Sequence, residues 1–204
     1  METKIELATD SGFIVNPEKI NKALKPHQRD AVAWALKGGR RALFESFGLG
    51  KTVQELEFCH LAAEHENGQA LIVLPLGVKQ EFTRDAVEVL GYEKPQYCRT
   101  MEEVRNSTSE IILTNYERVR DGDIRPEYFK ATSLDEASVL RSFGSKTYQT
   151  FLDKFKNVYK RTYKIMENMC NCKRYMNLSM YLYDCLRNQK YLEFLSWLCR
   201  NKSD

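Results

Sequence analysis

Apolar residues recur along this chain with two different periods, and the alternation between them predicts a fold before any chemistry enters. Two short apolar runs, ALIVL at 70–74 and IILT at 111–114, are bounded by polar residues in the manner of strands covered on both faces. A third strand is predicted over 41–47 around ALFESF, and a weaker one over 129–134. Between the strands the spacing lengthens to three and four. Val53, Leu56, Cys59 and Ala63 predict a helix over 52–65 that Gly68 closes. Pro26 at a first helical position, Ala31, Trp34 and Ala35 on one face, and Gly38 and Gly39 at the end predict another. Asn16 followed by Pro17 predicts the cap of an earlier one, and further helices are expected near 77–89 and over 145–157. Strands alternating with helices make an α/β fold, a parallel sheet flanked by helices.

Composition splits the chain in two. All ten Gly lie at or before Gly144, all five Pro at or before Pro126, and no Ala follows Ala137. Residues 159–204 hold nine Lys and Arg against four Asp and Glu, so the excess behind the net charge of +3 sits in that tail. At 204 residues, and about 150 per domain, this predicts one domain over 1–158 and a tail over 159–204. Hydrophobic residues at 43% and charged ones at 29% argue against collagen-like, disordered and disulfide-stapled chains. The longest apolar run, 70–78, falls short of the roughly 18 residues of a membrane span, and METKIELATD lacks a basic-then-apolar leader. No membrane partner is expected. Six irregularly spaced Cys without a leader read as reduced thiols in the cytoplasm. Structural zinc brings closely spaced ligand pairs, whereas Cys170 and Cys172 are followed by isolated Cys185 and Cys199, so no zinc is expected either.

Gly48-Leu49-Gly50-Lys51-Thr52 falls between a predicted strand and a predicted helix, the setting of a phosphate-binding loop. Glycines let successive backbone N–H groups turn toward phosphate oxygens, and the helix N-terminus adds partial positive charge. Lys51 would reach the β- and γ-phosphates of ATP and the Thr52 hydroxyl would be a Mg²⁺ ligand. Glu45 stands where the strict pattern has Gly, and a glycine-rich turn with a surface Lys has the same letters. Asp135 and Glu136, in LDEAS, follow the weak strand and so lie at the carboxyl edge of the sheet, where open α/β sheets bind ligands. Asp135 would hold Mg²⁺ and Glu136 would orient or deprotonate the attacking water. An acidic pair is otherwise an ordinary solvated helix start.

These residues together carry a family resemblance. LKPHQRDAVAWAL at 24–36 resembles the adenine-reading segment of superfamily-two helicases, ESFGLGKTVQ at 45–54 their motif I, and LIVLPLGVKQEF at 71–82 motif Ia. TNYERV at 114–119 resembles motif Ib, and LDEASVLRSFGSKTYQTF at 134–151 is similar to the extended motif II of the Swi/Snf-type branch. The resemblance, to the first lobe of a small bacterial or phage helicase, implies a P-loop RecA-like three-layer sandwich with a parallel sheet, followed here by a helical tail. It implies that Gln28 pairs with adenine, since a carboxamide meets N6 and N7 in two directions at once. It places Gly48, Leu49, Gly50, Lys51 and Thr52 on the nucleotide. Lys79, Thr114, Asn115, Tyr116 and Arg118 fall in the segments that touch the nucleic-acid backbone, with double-stranded DNA as the implied partner. Arg141 and Lys146 occupy the basic positions after the acidic pair without an assignable role.

The resemblance also says what to look for further on. Such motors close ATP between two lobes, the second supplying an arginine finger worth about 10³–10⁵ in rate. No Ser/Thr-Ala-Thr segment follows near Tyr159, and 159–204 has no room for a second lobe. The expectation is therefore an ATP-binding lobe, apparently truncated, that hydrolyses little alone and needs a second lobe or partner chain. Tyr175, Leu178, Leu182, Cys185, Leu192, Leu195 and Cys199 allow an amphipathic helix in the tail, while its altered composition also fits an out-of-frame ending. The competing reading is a non-catalytic nucleic-acid or protein-binding module with a vestigial ATP loop and a basic tail.

Overall fold

The computed structural model describes residues 12–39, 48–136 and 146–156. The predicted strand at 41–47 and the tail from 159, with its cysteines, lie outside the described residues, as does Arg141. Four strands, β1 (Ala70–Val73), β2 (Gln96–Tyr97), β3 (Ile111–Thr114) and β4 (Ala131–Leu134), form one sheet in the order β2-β3-β1-β4. Every pairing is parallel. β1, β3 and β4 fall on the predicted runs and are buried at every position; β1 and β3 therefore read as apolar stretches, while β4 buries Thr132 and Ser133 and reads more weakly. β2 has two residues, too few to leave a period.

Register sets the layers. Ala70, Ile72, Ile111, Leu113 and Ala131 share one face with the residues of α2 (Lys51–Glu66), forming a single core with Leu56, Cys59 and Ala63. Leu71, Val73, Ile112 and Leu134 point the other way and are equally buried. α5 (Tyr116–Asp121) packs against α6 (Lys146–Lys156), which also meets the 3₁₀ turn Pro126–Tyr128. The sheet is thus buried on both faces, as an α/β sandwich requires.

Several helices differ from the sequence reading. Asn16 and Pro17 start no helix: the Glu18 N–H donates to Asn16 Oδ1 at 3.0 Å and the Ala23 N–H to Asn21 Oδ1 at 3.0 Å, so two Asx turns take the backbone donors. Pro26 then holds Lys25 extended, at ψ 158°, and propagation has to restart after it. α1 (Pro26–Gly38) begins as expected but buries Gln28, Val32, Ala35 and Leu36, leaving Trp34 48% exposed. The face is rotated because a polar residue, Gln28, belongs to it. The helix expected near 77–89 is three pieces: a 3₁₀ turn at Leu76–Val78, α3 (Lys79–Arg84) and a π-helical turn at Asp85–Val89. α4 (Met101–Asn106) and α5 went unread because six residues are too short for a helical period.

Candidate nucleotide and nucleic-acid site

α2 reaches its C-cap at Asn67 and passes within three residues into β1, so it runs antiparallel to the strands and starts at their carboxyl ends. Its N-cap is Gly50 at φ 73°, preceded by Gly48 at φ 79°; both are left-handed conformations that favour glycine. No side chain caps this N-terminus, which leaves the first-turn N–H groups of a 16-residue helix directed to the carboxyl edge. Lys51 and Thr52 are the first two helical residues and are half-buried.

Gln28 braces the loop from below. Its Oε1 accepts the Lys25 N–H at 2.8 Å, closing the N-terminus of α1, while its Nε2 donates to the Leu49 carbonyl at 2.8 Å. Gln54 Nε2 donates to the same carbonyl at 3.3 Å. The Gln28 carboxamide is buried, and these two bonds fix which end is oxygen and which is nitrogen. A Cβ at Gly50 would stand 2.4 Å from that Nε2.

The acidic pair sits in the next row of the sheet. Val73 is level with Thr114 and Leu134, the Asp135 N–H donates to the Val73 carbonyl at 2.8 Å, and Asp135 therefore continues β4 by one residue at the carboxyl edge. Glu136 follows, exposed, at φ 49°, a conformation few side chains other than Asn and Asp adopt readily. One contact brings the two motifs to the same edge. Ser133, two residues before Asp135, donates its hydroxyl to the Glu55 carboxylate, one turn into α2 from Lys51 and Thr52. Both partners are buried. Sequence reasoning missed this pair because Glu55 looks like any polar helix residue. It also missed Glu81 of α3, whose Oε1 receives the Thr52 hydroxyl at 3.4 Å and sets a second carboxylate beside the proposed Mg²⁺ ligand.

The five residues expected at nucleic acid separate into two groups. The Thr114 hydroxyl donates to the Cys98 carbonyl at 2.9 Å, Asn115 Nδ2 donates to Glu117 at 2.6 Å, and the Tyr116 hydroxyl donates to the Asp135 carbonyl at 2.6 Å; all three side chains are buried. Asn115 Oδ1 is buried without a hydrogen-bond partner. Lys79 and Arg118 are half-buried, and both act on Tyr97. The Lys79 ammonium lies 5.0 Å from the centre of the Tyr97 ring, and Arg118 is paired with Asp123 at 2.8 Å while its side chain stays 42% exposed. Burial raises the Tyr97 phenol above its ordinary pKa, and the nearby Arg118 and Arg99 act in the opposite sense.

The parallel sheet, with the start of α2 and the Asp135-Glu136 turn at its carboxyl edge, defines a RecA-like α/β lobe. Among solved structures the chain is similar to the "Sulfolobus solfataricus SWI2/SNF2 ATPase core in complex with dsDNA", with a TM-score of 0.58 and 21% identity, covering 74% of this chain and 33% of that one. The UvsW helicase of bacteriophage T4 is similar at a TM-score of 0.54 and 15% identity, over 69% of this chain and 51% of that one. A second T4 UvsW structure gives 0.53 and 16%, over 68% and 28%. The chain thus spans between about a quarter and a half of the proteins it resembles. No family model and no curated protein matches it. Among the described residues no helix is long and apolar enough to cross a membrane, and Cys59 and Cys98 are free buried thiols.

Proposed function

We propose that this chain is the ATP- and Mg²⁺-binding lobe of a DNA-dependent ATPase of the helicase superfamily, turning over only with a second lobe or partner chain. The observation that carries the reading is the Glu55–Ser133 contact, which holds the first turn of α2 and the Asp135-Glu136 turn to one edge of the sheet. Uncapped N–H groups behind two left-handed glycines suit phosphate oxygens. Lys51 binds the β- and γ-phosphates. Among the described residues no three His, Cys, Asp or Glu are grouped to hold a metal by themselves. Magnesium takes one or two carboxylates and completes its shell with phosphate and water, so Thr52 and Asp135 suffice as protein ligands. Bound there, it would neutralise charge on the transferred phosphoryl.

Glu136 orients the attacking water and takes its proton. Gln28 reads adenine with its remaining N–H and lone pair: their fixed order suits the N7 acceptor and N6 donor of adenine, whereas guanine would set an acceptor against Oε1. Lys79 and Arg118 supply surface cations to the DNA backbone, and the 114–116 segment supports them from beneath.

Titration of a fluorescent ATP analogue tests the reading. Lys51→Ala is expected to abolish binding, and Gln28→Ala to bring ATP down to the level of GTP. Unchanged ATP affinity in Lys51→Ala would end the proposal. Hydrolysis by the chain alone is expected to be negligible with or without DNA; turnover near 1 s⁻¹ that Glu136→Gln abolishes would show that no second lobe is needed.

A further inference from the structure

Along the outer edge of the sheet, α3 and the outermost strand β2 flank an open groove of about 670 Å³, with Lys79 toward the carboxyl end and Lys94, two residues ahead of β2, toward the amino end. Its walls carry Lys79, Arg84 and Lys94, the neutral donors Gln80, Thr83 and Gln96, and the Tyr97 ring; no carboxylate lines it. Arg84 is held by Asp85 through two bonds, at 2.7 and 3.0 Å, so much of its charge is already answered. Lys79 and Lys94 have no ion-pair partner among the described residues. Two unanswered ammonium groups in a groove without acids select an anion. A groove of this volume is far larger than one phosphate, and being open it would not enclose a small ligand as binding pockets do. A repeating anion fits it better.

Continuity decides which. Lys79 belongs both to this groove and to the surface that the proposed function sets against DNA, and Tyr97, beneath it, is the shared wall. Hydroxyl and amide groups between cations are what phosphate and sugar contacts use, positioning a strand without reading it. We propose that the α3–β2 groove is a sequence-independent nucleic-acid backbone site that continues the DNA contact of Lys79 to Lys94, taking about two phosphates and extending the footprint of the lobe from its carboxyl edge along the outermost strand. It rests on the reading of the carboxyl edge as a DNA-binding surface.

Salt dependence of duplex binding by the full chain measures it. Each phosphate neutralised contributes about 0.9 to the slope of log K against log salt. Lys94→Gln should lower that slope by about 0.9 for a labelled 20-base-pair duplex, equally on unrelated sequences, and Arg84→Gln by much less. Lys22→Gln, which removes one charge from an exposed turn elsewhere, should leave the slope as it is. A Lys94→Gln slope equal to wild type, with duplex still bound, overturns the groove site and leaves the carboxyl-edge reading intact. Absence of any duplex binding by the wild type overturns both. Poly-glutamate binding that Lys94→Gln weakens while duplex binding is unaffected would identify an acidic polypeptide as the occupant and overturn the proposal.

Discussion

The Tyr116 hydroxyl donates to the backbone carbonyl of Asp135 at 2.6 Å, so the segment resembling a nucleic-acid motif is bonded to the turn that carries the acidic pair. The Tyr116 ring is buried against Phe151 of α6, at 5.4 Å between centroids, which fixes where its hydroxyl points. The bond restrains the carbonyl just ahead of Glu136, whose φ of 49° needs support from its surroundings. A shift of α5 would be felt at the acidic turn through this hydrogen bond.

Tyr116→Phe keeps the ring packing and deletes only the donor. The expected loss of stability is about 1 kcal/mol, the ordinary net worth of a buried hydrogen bond, read from a denaturant midpoint at unchanged slope. If the bond also holds the acidic turn, Mg²⁺-dependent ATP affinity should fall several-fold while Mg²⁺-free affinity stays the same. Equal losses with and without Mg²⁺ would show that the bond is structural only.

The two loop glycines separate conformational from steric need. Gly48→Ala meets open space and faces only the left-handed backbone, a penalty of roughly 1–2 kcal/mol. Gly50→Ala meets that penalty and, in addition, the Gln28 Nε2 at 2.4 Å, so Gln28 must give up the Leu49 carbonyl. ATP affinity should therefore drop much further in Gly50→Ala, and Gln28→Ala, which costs affinity in the wild type, should cost little more in the Gly50→Ala background, where the carboxamide is already displaced. Fully additive losses in the double variant would count against Gln28 as the brace.

How much of this was legible beforehand follows from how each residue is placed. β1 and β3 were read at nearly their full extent because burial on both faces writes an unbroken apolar run, and the start of α2 after GLGKT and the place of Asp135 after β4 were legible because glycines and an adjoining strand are local signals. What escaped is tertiary: Gln28 on a buried face, Glu55 and Ser133 as a buried pair, Tyr116 turned inward. Each is a polar residue satisfied by a partner distant in sequence, and neither period nor propensity records such a partner. Trp34 misled for the matching reason, since an apolar side chain carries no guarantee of burial.

Ser133→Ala probes the contact that joins the two motifs. It leaves the Glu55 carboxylate buried with one donor fewer, which should reduce stability by about 1–3 kcal/mol. Glu55→Gln in the same background should recover part of that loss, because a neutral amide is less costly to bury than a carboxylate lacking a donor. A double-mutant cycle on unfolding free energy measures the coupling, and a value near zero would remove this contact as the link between α2 and β4.

A second buried carboxylate on α2 sets a pH dependence. Glu57 accepts the Asn21 N–H at 2.7 Å and the Tyr92 hydroxyl, tying the segment ahead of α1 to the chain after the π-helical turn. Burial raises its pKa above the ordinary 4.5, and the Tyr92 hydroxyl, the Asn21 N–H and the nearby His60 and Arg29 only partly oppose this. The folded chain thus binds this proton more tightly than the unfolded one. Its contribution is fully present below about pH 4.5 and is lost as pH rises through the folded value, at about 1.4 kcal/mol for each unit of upward shift. Other carboxylates titrate in the same range, so the quantity to follow is the difference in unfolding free energy between wild type and Glu57→Gln from pH 4 to 7. That difference should move steadily against the wild type as pH rises. Tyr92→Phe, which removes a donor favouring the charged form, should widen the window. A difference that does not change with pH would mean that Glu57 keeps its ordinary pKa in the folded chain.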